Sequence, residues 1–122
     1  MLYFPAAMPV VFVIARDWIL RTSVRAELLE AGIRALGMES PDDAGRALAG
    51  GQLPAAVVLE ATAGLADDPA VTGLIARVPT VLVASHAEKL NLPPVAAVIY
   101  RPVRIGEIVN TIRELVRKGH AA

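Results

Sequence analysis

The chain has 122 residues, of which 55% are hydrophobic and 20% are charged, with 12 Lys and Arg against 12 Asp and Glu and no cysteine. A chain of this length and apolarity can form one compact core, which excludes intrinsic disorder. Zero net charge argues against a nucleic-acid partner, and the lack of cysteine excludes disulfides, thiolate metal sites and a thiol nucleophile. We therefore expect a single domain over residues 1–122, with its core at about 10–118.

The longest uncharged run, Met1–Ala15, lies at the amino terminus and contains Pro5 and Pro9. It is shorter than the roughly 20 apolar residues that a membrane-spanning helix needs, and it lacks the basic start of a signal peptide. The sequence therefore predicts a soluble, cytoplasmic protein that has no membrane partner.

Strands are predicted where Val, Ile and Leu form short continuous runs. Such runs do not alternate with polar residues, so they are typical of parallel strands that helices cover on both faces. Gly32–Met38 is a weaker candidate than the other four. The four stronger candidates are Val10–Ala15, Val57–Glu60, Thr80–Ser85 and Ala96–Tyr100.

Helix signals separate the predicted strands. Asp17 can cap a helix over Trp18–Ala31, which Gly32 ends. At Ser40–Asp43 a hydroxyl, a proline and two aspartates suit the start of a second helix, which runs to Leu48. The apolar stripe of the first helix consists of Leu20, Val24 and Leu28.

Two further helices follow in the second half of the chain. Asp68 and Pro69 repeat the start signal before a helix over Ala70–Arg77. The last helix, at about Ile105–Lys118, should carry Glu114 and Lys118 as a surface ion pair. Its inward positions are Ile108, Ile112 and Leu115. Prolines interrupt Glu88–Pro94, so a helix there is doubtful.

Strands and helices thus alternate five times, which indicates an α/β fold with a parallel sheet and helices on both faces. Ligands of such sheets bind at the carboxyl ends of the strands. The residues expected in the core are Val11, Val13, Val57, Leu59, Val81, Val83, Ala97 and Ile99.

Several kinds of ligand site are excluded at these strand ends. The chain has no dinucleotide-binding or P-loop glycine motif, no cobalamin motif and no hydroxyl-rich flavin phosphate loop after the first strand. Ser85, His86 and Glu60 make a poor catalytic triad, because adjacent strand residues point to opposite faces. We therefore expect His86 to be an exposed loop residue.

Four segments resemble the receiver domain of bacterial response regulators (CheY-like), over nearly the whole chain from Val10 to Val116. The resemblance implies a flavodoxin-like three-layer sandwich, with the five parallel strands in the order 2-1-3-4-5. The matching segments are VVFVI at 10–14, PAAVVLE at 54–60 against P-D-L-V-L-L-D, PTVLVAS at 79–85 against P-[IV]-[IV]-x-L-[TS]-A, and RPV at 101–103 against K-P-F.

The functional positions of the family are changed here. Its Mg²⁺-binding acid pair falls on Ala15 and Arg16, with only the neighbouring Asp17 acidic. The phosphoacceptor aspartate falls on Glu60. The hydroxyl position falls on Ala84, with Ser85 one residue later, the lysine position on Arg101, and the switch aromatic on Val98, with Tyr100 out of register.

Glu60 and Asp17 balance Arg16 and Arg101 in charge, so the site can be neutral without a metal, and Arg16 would repel Mg²⁺. We expect a pseudo-receiver that signals through protein contacts, with no enzymatic activity, metal or cofactor. We also expect Glu60 to pair with Arg101, Arg16 or both. Two alternatives remain open: a phosphorylatable regulator that uses Glu60 or Asp17, and an unrelated flavodoxin-like small-molecule-binding domain or enzyme.

The resemblance also implies a contact face, since receivers commonly use their fourth helix, fifth strand and fifth helix, here about Glu88–Lys118. The partner is a protein, an output domain or a second copy of the chain, which is either a stand-alone module or a piece of a larger protein. The surface residues expected on this face are Arg104, Glu107, Asn110, Glu114 and Arg117.

Overall fold

The computed structural model describes residues 9–87 and 90–121. The strands are β1 (Val10–Ile14), β2 (Arg34–Met38), β3 (Ala56–Glu60), β4 (Thr80–Ala84) and β5 (Ala97–Tyr100). The helices are α1 (Trp18–Glu30), α2 (Pro41–Ala49), α3 (Pro69–Arg77) and α4 (Ile105–Ala121), with a short 3₁₀ turn at Leu65–Asp67. The predicted strands and helices lie within a few residues of these bounds.

All strand pairs are parallel, and the sheet order is β2-β1-β3-β4-β5. The predicted flavodoxin-like α/β architecture and its strand order are therefore confirmed. Because every strand runs in the same direction, the carboxyl ends of all five lie at one edge of the sheet.

Two apolar clusters cover the two faces of the sheet, as the continuous runs of Val, Ile and Leu indicate. Val11, Val13 and Val81 pack with α1 and α4 on one face, while Val57 and Leu59 pack with α2 and α3 on the other. Every residue predicted for the core is buried except one, Ala97, which is half-buried. Ala97 belongs to β5, the edge strand, which has a neighbour on one side only.

The connection from β4 to β5 differs from the prediction of five strand–helix repeats. Its described residues, 85–87 and 90–96, form turns and extended segments without a helix, while Glu88 and Lys89 lie outside the described residues. Pro93 and Pro94 are adjacent in this short segment, and prolines remove the N–H donors that a helix needs. Leu90, Leu92 and Val95 pack on the sheet instead, against the cluster that contains Leu82.

The helix caps are confirmed at two of the three predicted places. Asp17 accepts hydrogen bonds from the N–H groups of Ile19 at 3.0 Å and Leu20 at 3.2 Å. Asp68 accepts one from Ala70 at 2.9 Å. Ser40 occupies the cap position of α2, but its side chain makes no capping hydrogen bond. There the following proline has no N–H to satisfy, and two first-turn aspartates favour the helix dipole.

No helix within the described part of the chain combines the length and the apolarity needed to cross a membrane.

Asp68 makes a capping hydrogen bond and Ser40 does not, so replacing each with alanine should change the free energy of unfolding by different amounts. Asp68→Ala should lower the free energy of unfolding by about 1 kcal/mol, because α3 loses the acceptor for its first-turn N–H group. Ser40→Ala is the matched control and should change it by less than about 0.5 kcal/mol. Denaturant titration measures both values. Equal losses for the two variants would contradict this assignment of the caps.

Candidate functional site

Three segments converge at the carboxyl edge of the sheet. Arg16 and Asp17 follow β1, Glu60 is the last residue of β3, and Arg101 directly follows β5. The order β1-β3-β4-β5 places these strand ends in a row. The sheet thus brings together residues that lie more than forty positions apart in the sequence.

The Glu60 carboxylate is the centre of this arrangement. Its Oε1 accepts hydrogen bonds from the main-chain N–H groups of Arg16 at 2.9 Å and Asp17 at 3.2 Å. Its Oε2 accepts one from Arg101 Nη2 at 2.6 Å. The Glu60 side chain is only 10% exposed, against 38% for Arg101. One carboxylate therefore joins β3 to the loops that follow β1 and β5.

Glu60 and Arg101 form the predicted ion pair. The prediction that the Arg16 side chain could also pair with Glu60 is wrong. Arg16 contributes its main-chain N–H, while its guanidinium makes no hydrogen bond or ion pair with any described residue. The loop after β1 turns its N–H groups onto Glu60 Oε1, and the Arg16 side chain remains exposed.

Several solved structures are similar to this arrangement of strands and helices. A response regulator receiver protein from Burkholderia phymatum is 19% identical with a TM-score of 0.70, covering 88% of this chain and 94% of that one. The signal receiver domain of an HD domain-containing protein from Pseudomonas fluorescens Pf-5 is 12% identical with a TM-score of 0.78, covering 98% and 95%.

A CheY-like response regulator receiver domain protein from Methanospirillum hungatei JF-1 is 18% identical with a TM-score of 0.70, covering 90% of this chain and 98% of that one. No protein-family model and no curated protein matches the sequence. The chain has the fold of response-regulator receiver domains.

The remaining pocket positions of the receiver fold surround Glu60 and Arg101. Ala15 and Ala84 are each 2% exposed, and neither side chain has a polar atom. Arg21 Nη1 donates to the main-chain oxygen of Ala15 at 2.5 Å, so a guanidinium from α1 contacts the backbone at the end of β1. Ser85 is half-buried after β4. The structure thus places all predicted pocket positions at one edge, but two of them lack functional groups.

The residues at this edge do not fit the Mg²⁺ ion that the receiver fold implies. Magnesium needs oxygen ligands with free lone pairs in near-octahedral geometry. Ala15 has no side-chain ligand, Arg16 brings a cation, and three of the roughly four lone-pair sites of the Glu60 carboxylate already accept hydrogen bonds. Asp17 Oδ1 caps α1. The described residues contain no group of three or more His, Cys, Asp or Glu side chains that could hold a metal.

A crevice of about 280 Å³ lies beside Glu60. Its volume is at the lower limit of those typical for small-molecule sites. The polar side chains that line it come from Arg16, Glu39, Ser40, Glu60 and Thr62.

The predicted contact residues, which lie on α4 and directly before it, are all exposed. Glu114 pairs with Arg117 at 2.7 Å and not with Lys118 as predicted, since residues three apart on a helix are also neighbours. The hydrogen bond and the charge of Arg117 hold the pKa of the Glu114 carboxyl below its usual value. The other contact residues, Arg104, Glu107 and Asn110, are exposed without a side-chain hydrogen bond or ion pair to described residues.

His86 is exposed, as predicted, and it has a contact that the sequence did not indicate. Its ring stacks on Tyr100 with centroids 4.1 Å apart and planes 14° from parallel. The two residues are fourteen positions apart, and only the pairing of β4 with β5 brings them together. To find this contact from the sequence, the register between β4 and β5 would first have to be predicted.

The hydrogen bonds of Glu60 predict a loss of stability when the side chain is removed. Glu60→Ala leaves two loop N–H groups and the Arg101 guanidinium without their acceptor, and should lower the free energy of unfolding by about 1–3 kcal/mol. The partial exposure of Arg101 favours the lower part of this range. Glu60→Gln should cost less, because its amide oxygen still accepts hydrogen bonds.

Denaturant titration measures these losses, with Glu114→Ala as the control. Glu114 also pairs with an arginine, but on an exposed helix surface, so its removal should leave the unfolding free energy close to that of the unaltered chain. Equal stability of Glu60→Ala and the unaltered chain would show that the Glu60 contacts are not stabilising.

Proposed function

We propose that the chain is a pseudo-receiver, a signalling module that acts through protein contacts without aspartyl phosphorylation, enzymatic activity or a cofactor. The observation that carries this proposal is the Glu60 carboxylate, whose two oxygens accept three hydrogen bonds from the chain's own residues. At the position where receivers take up a phosphoryl group, this chain has an internal ion pair.

Phosphoryl transfer to Glu60 would require a carboxylate oxygen that is free to attack phosphorus in line, and cations that spread over the transferred group. Oε2 is engaged by Arg101 and Oε1 by two loop N–H groups, so a phosphoryl donor would have to approach a carboxylate on which three of roughly four lone-pair sites are occupied. Asp17 Oδ1 caps α1, so a phosphoryl group on this carboxylate would lie directly at the helix cap.

The proposed partners follow from the proteins with the same fold. One similar structure is the N-terminal domain of a response regulator/sensory box/GGDEF 3-domain protein from Carboxydothermus hydrogenoformans, and another belongs to an HD domain-containing protein. Receivers in those proteins are joined to further domains in the same chain. By analogy we propose a protein partner or output domain for this chain.

A phosphodonor assay distinguishes the pseudo-receiver from a phosphorylatable one. Incubation with a small-molecule phosphodonor and Mg²⁺, followed by mass spectrometry of the intact chain, should give no phosphoryl adduct. Glu60→Asp should also give none, because the ligands for Mg²⁺ would still be absent. A phosphorylatable receiver domain treated in parallel shows that the donor is active. An adduct on Glu60 or Asp17 would overturn the proposal.

The same proposal predicts that Mg²⁺ leaves the site unchanged. Trp18, the chain's only tryptophan, is 64% exposed and lies directly after Asp17, so its fluorescence reports on this loop. Titration with Mg²⁺ should leave the emission unchanged up to millimolar concentrations, with a matched sodium chloride titration as control. A saturable change seen with Mg²⁺ alone would show a cation site that the proposal excludes.

A further inference from the structure

Helix α1 has a second, uncharged face, which lies opposite the face that packs on the sheet. Leu20, Val24 and Leu28 are buried on the inner face. On the outer face Ile19 is 61% exposed and Leu29 is 48% exposed. A helix turns by about 100° per residue, so these two sets of residues lie on opposite sides of it. The outer set, here called the outer α1 stripe, is exposed throughout and consists of Ile19, Thr22, Ala26 and Leu29.

The outer α1 stripe has the spacing of a coiled-coil seam. Its residues are separated by three, four and three positions, as the a and d positions of a seven-residue repeat are. Ile19 and Ala26 are then a positions, and Thr22 and Leu29 are d positions. The inner face already holds α1 folded on the sheet, so pairing with a second helix avoids the nucleation cost that makes short isolated helices unstable. The stripe therefore fits another helix.

Opposite charges flank this stripe. Arg25 lies on the side nearer β2, where its Nε donates to the main-chain oxygen of Ala35 at 2.9 Å, and its two terminal nitrogens make no hydrogen bond to a described residue. Glu30 lies on the other side, next to α4, and its carboxylate has no hydrogen bond or ion pair with a described residue. The two residues are five positions apart, so they do not face each other on one helix.

We propose that α1 pairs with α1 of a second copy of the chain, as a short parallel coiled coil whose twofold axis runs along the two helices. Each residue of the outer α1 stripe then meets the same residue of the second copy. The g position of one helix faces the e position of the next repeat on the other helix, so Arg25 faces Glu30 of the second copy, twice. Each copy thus supplies the carboxylate for the guanidinium of the other.

The charges favour a second copy in this orientation. Antiparallel pairing would turn each side of α1 toward the same side of the second copy, so that the arginine sides would face each other and the glutamate sides would face each other. Parallel pairing joins opposite charges on both sides, and like charges across an interface are unfavourable. Two repeats bury little surface, so we expect a weak dimer. The inference rests on the proposed function, in that it names a protein partner of that module.

Charge reversal tests this pairing in sedimentation velocity over a range of protein concentrations. The unaltered chain should show a concentration-dependent monomer–dimer equilibrium. Arg25→Glu alone and Glu30→Arg alone should each shift it to the monomer, because each variant puts like charges in both facing pairs. An equimolar mixture of the two variants should form a heterodimer, since both facing pairs are then again of opposite charge.

The matched control is Glu27→Arg. Glu27 is exposed on α1 and next to α4, but it lies outside the outer α1 stripe and the two positions that face the second copy. This variant should dimerise like the unaltered chain. Circular dichroism shows whether each variant is folded, and recovery of the dimer in the mixture is a result that an unfolded variant would not give.

A disulfide test fixes the orientation. The chain has no cysteine, so Ala26→Cys introduces one thiol in each helix, and parallel pairing brings the two thiols together. Oxidation should then give a covalent dimer in non-reducing electrophoresis. Ala76→Cys is the matched control, because Ala76 is exposed on α3, which covers the other face of the sheet, and this variant should stay monomeric.

Four results would overturn the α1 pairing: a monomer at all concentrations, a dimer that Arg25→Glu leaves intact, a mixture of the two charge variants that stays monomeric, or equal cross-linking of the two cysteine variants. None of them would affect the phosphodonor assay, so the two proposals fail separately.

Discussion

The site depends on one carboxylate that receives three hydrogen bonds. Glu60 ends a central strand and accepts N–H groups from the loop after β1 and a guanidinium from the loop after β5. Arg16 and Asp17 are exposed and Arg101 is 38% exposed, so the stabilisation comes mainly from fixing these donors against the largely buried carboxylate. A carboxylate and an arginine supply here, within the chain, the charge balance for which the receiver fold otherwise implies a metal ion.

The carboxyl edge of the sheet and its β5 edge differ in how their polar groups are paired. At the carboxyl edge, Arg21 donates a hydrogen bond to the main-chain oxygen of Ala15. At the β2 edge, Arg25 donates to the main-chain oxygen of Ala35, and the side chain of Arg21 covers Gly37. Among the described strands β5 pairs with β4 alone, and Val98 and Tyr100 are exposed. A module that lacks phosphoryl chemistry, as proposed for this chain, can still signal through the proteins that it binds. The proposed function therefore depends on the surface of the domain and the protein that it binds.

The sequence predicted most of the sheet, because continuous Val, Ile and Leu runs have few other stable environments than a covered parallel sheet. It also predicted the contact of Glu60 with Arg101, since strand order places their ends together. It did not predict that Arg16 would contribute its main-chain N–H, because loop direction is not encoded in residue type. Ser40 lacks its expected capping bond for a similar reason. The missing helix before β5 was indicated only in part, by the prolines near Pro93.

The most direct test of the account is a double-mutant cycle between Glu60 and Arg101. Free energies of unfolding are measured for Glu60→Ala, Arg101→Ala and the double variant, together with the unaltered chain. If the ion pair holds the site together, the double variant should lose less stability than the sum of the single variants, by about 1 kcal/mol or more. Additivity within about 0.3–0.5 kcal/mol would show that the two residues do not stabilise each other, and would contradict the account.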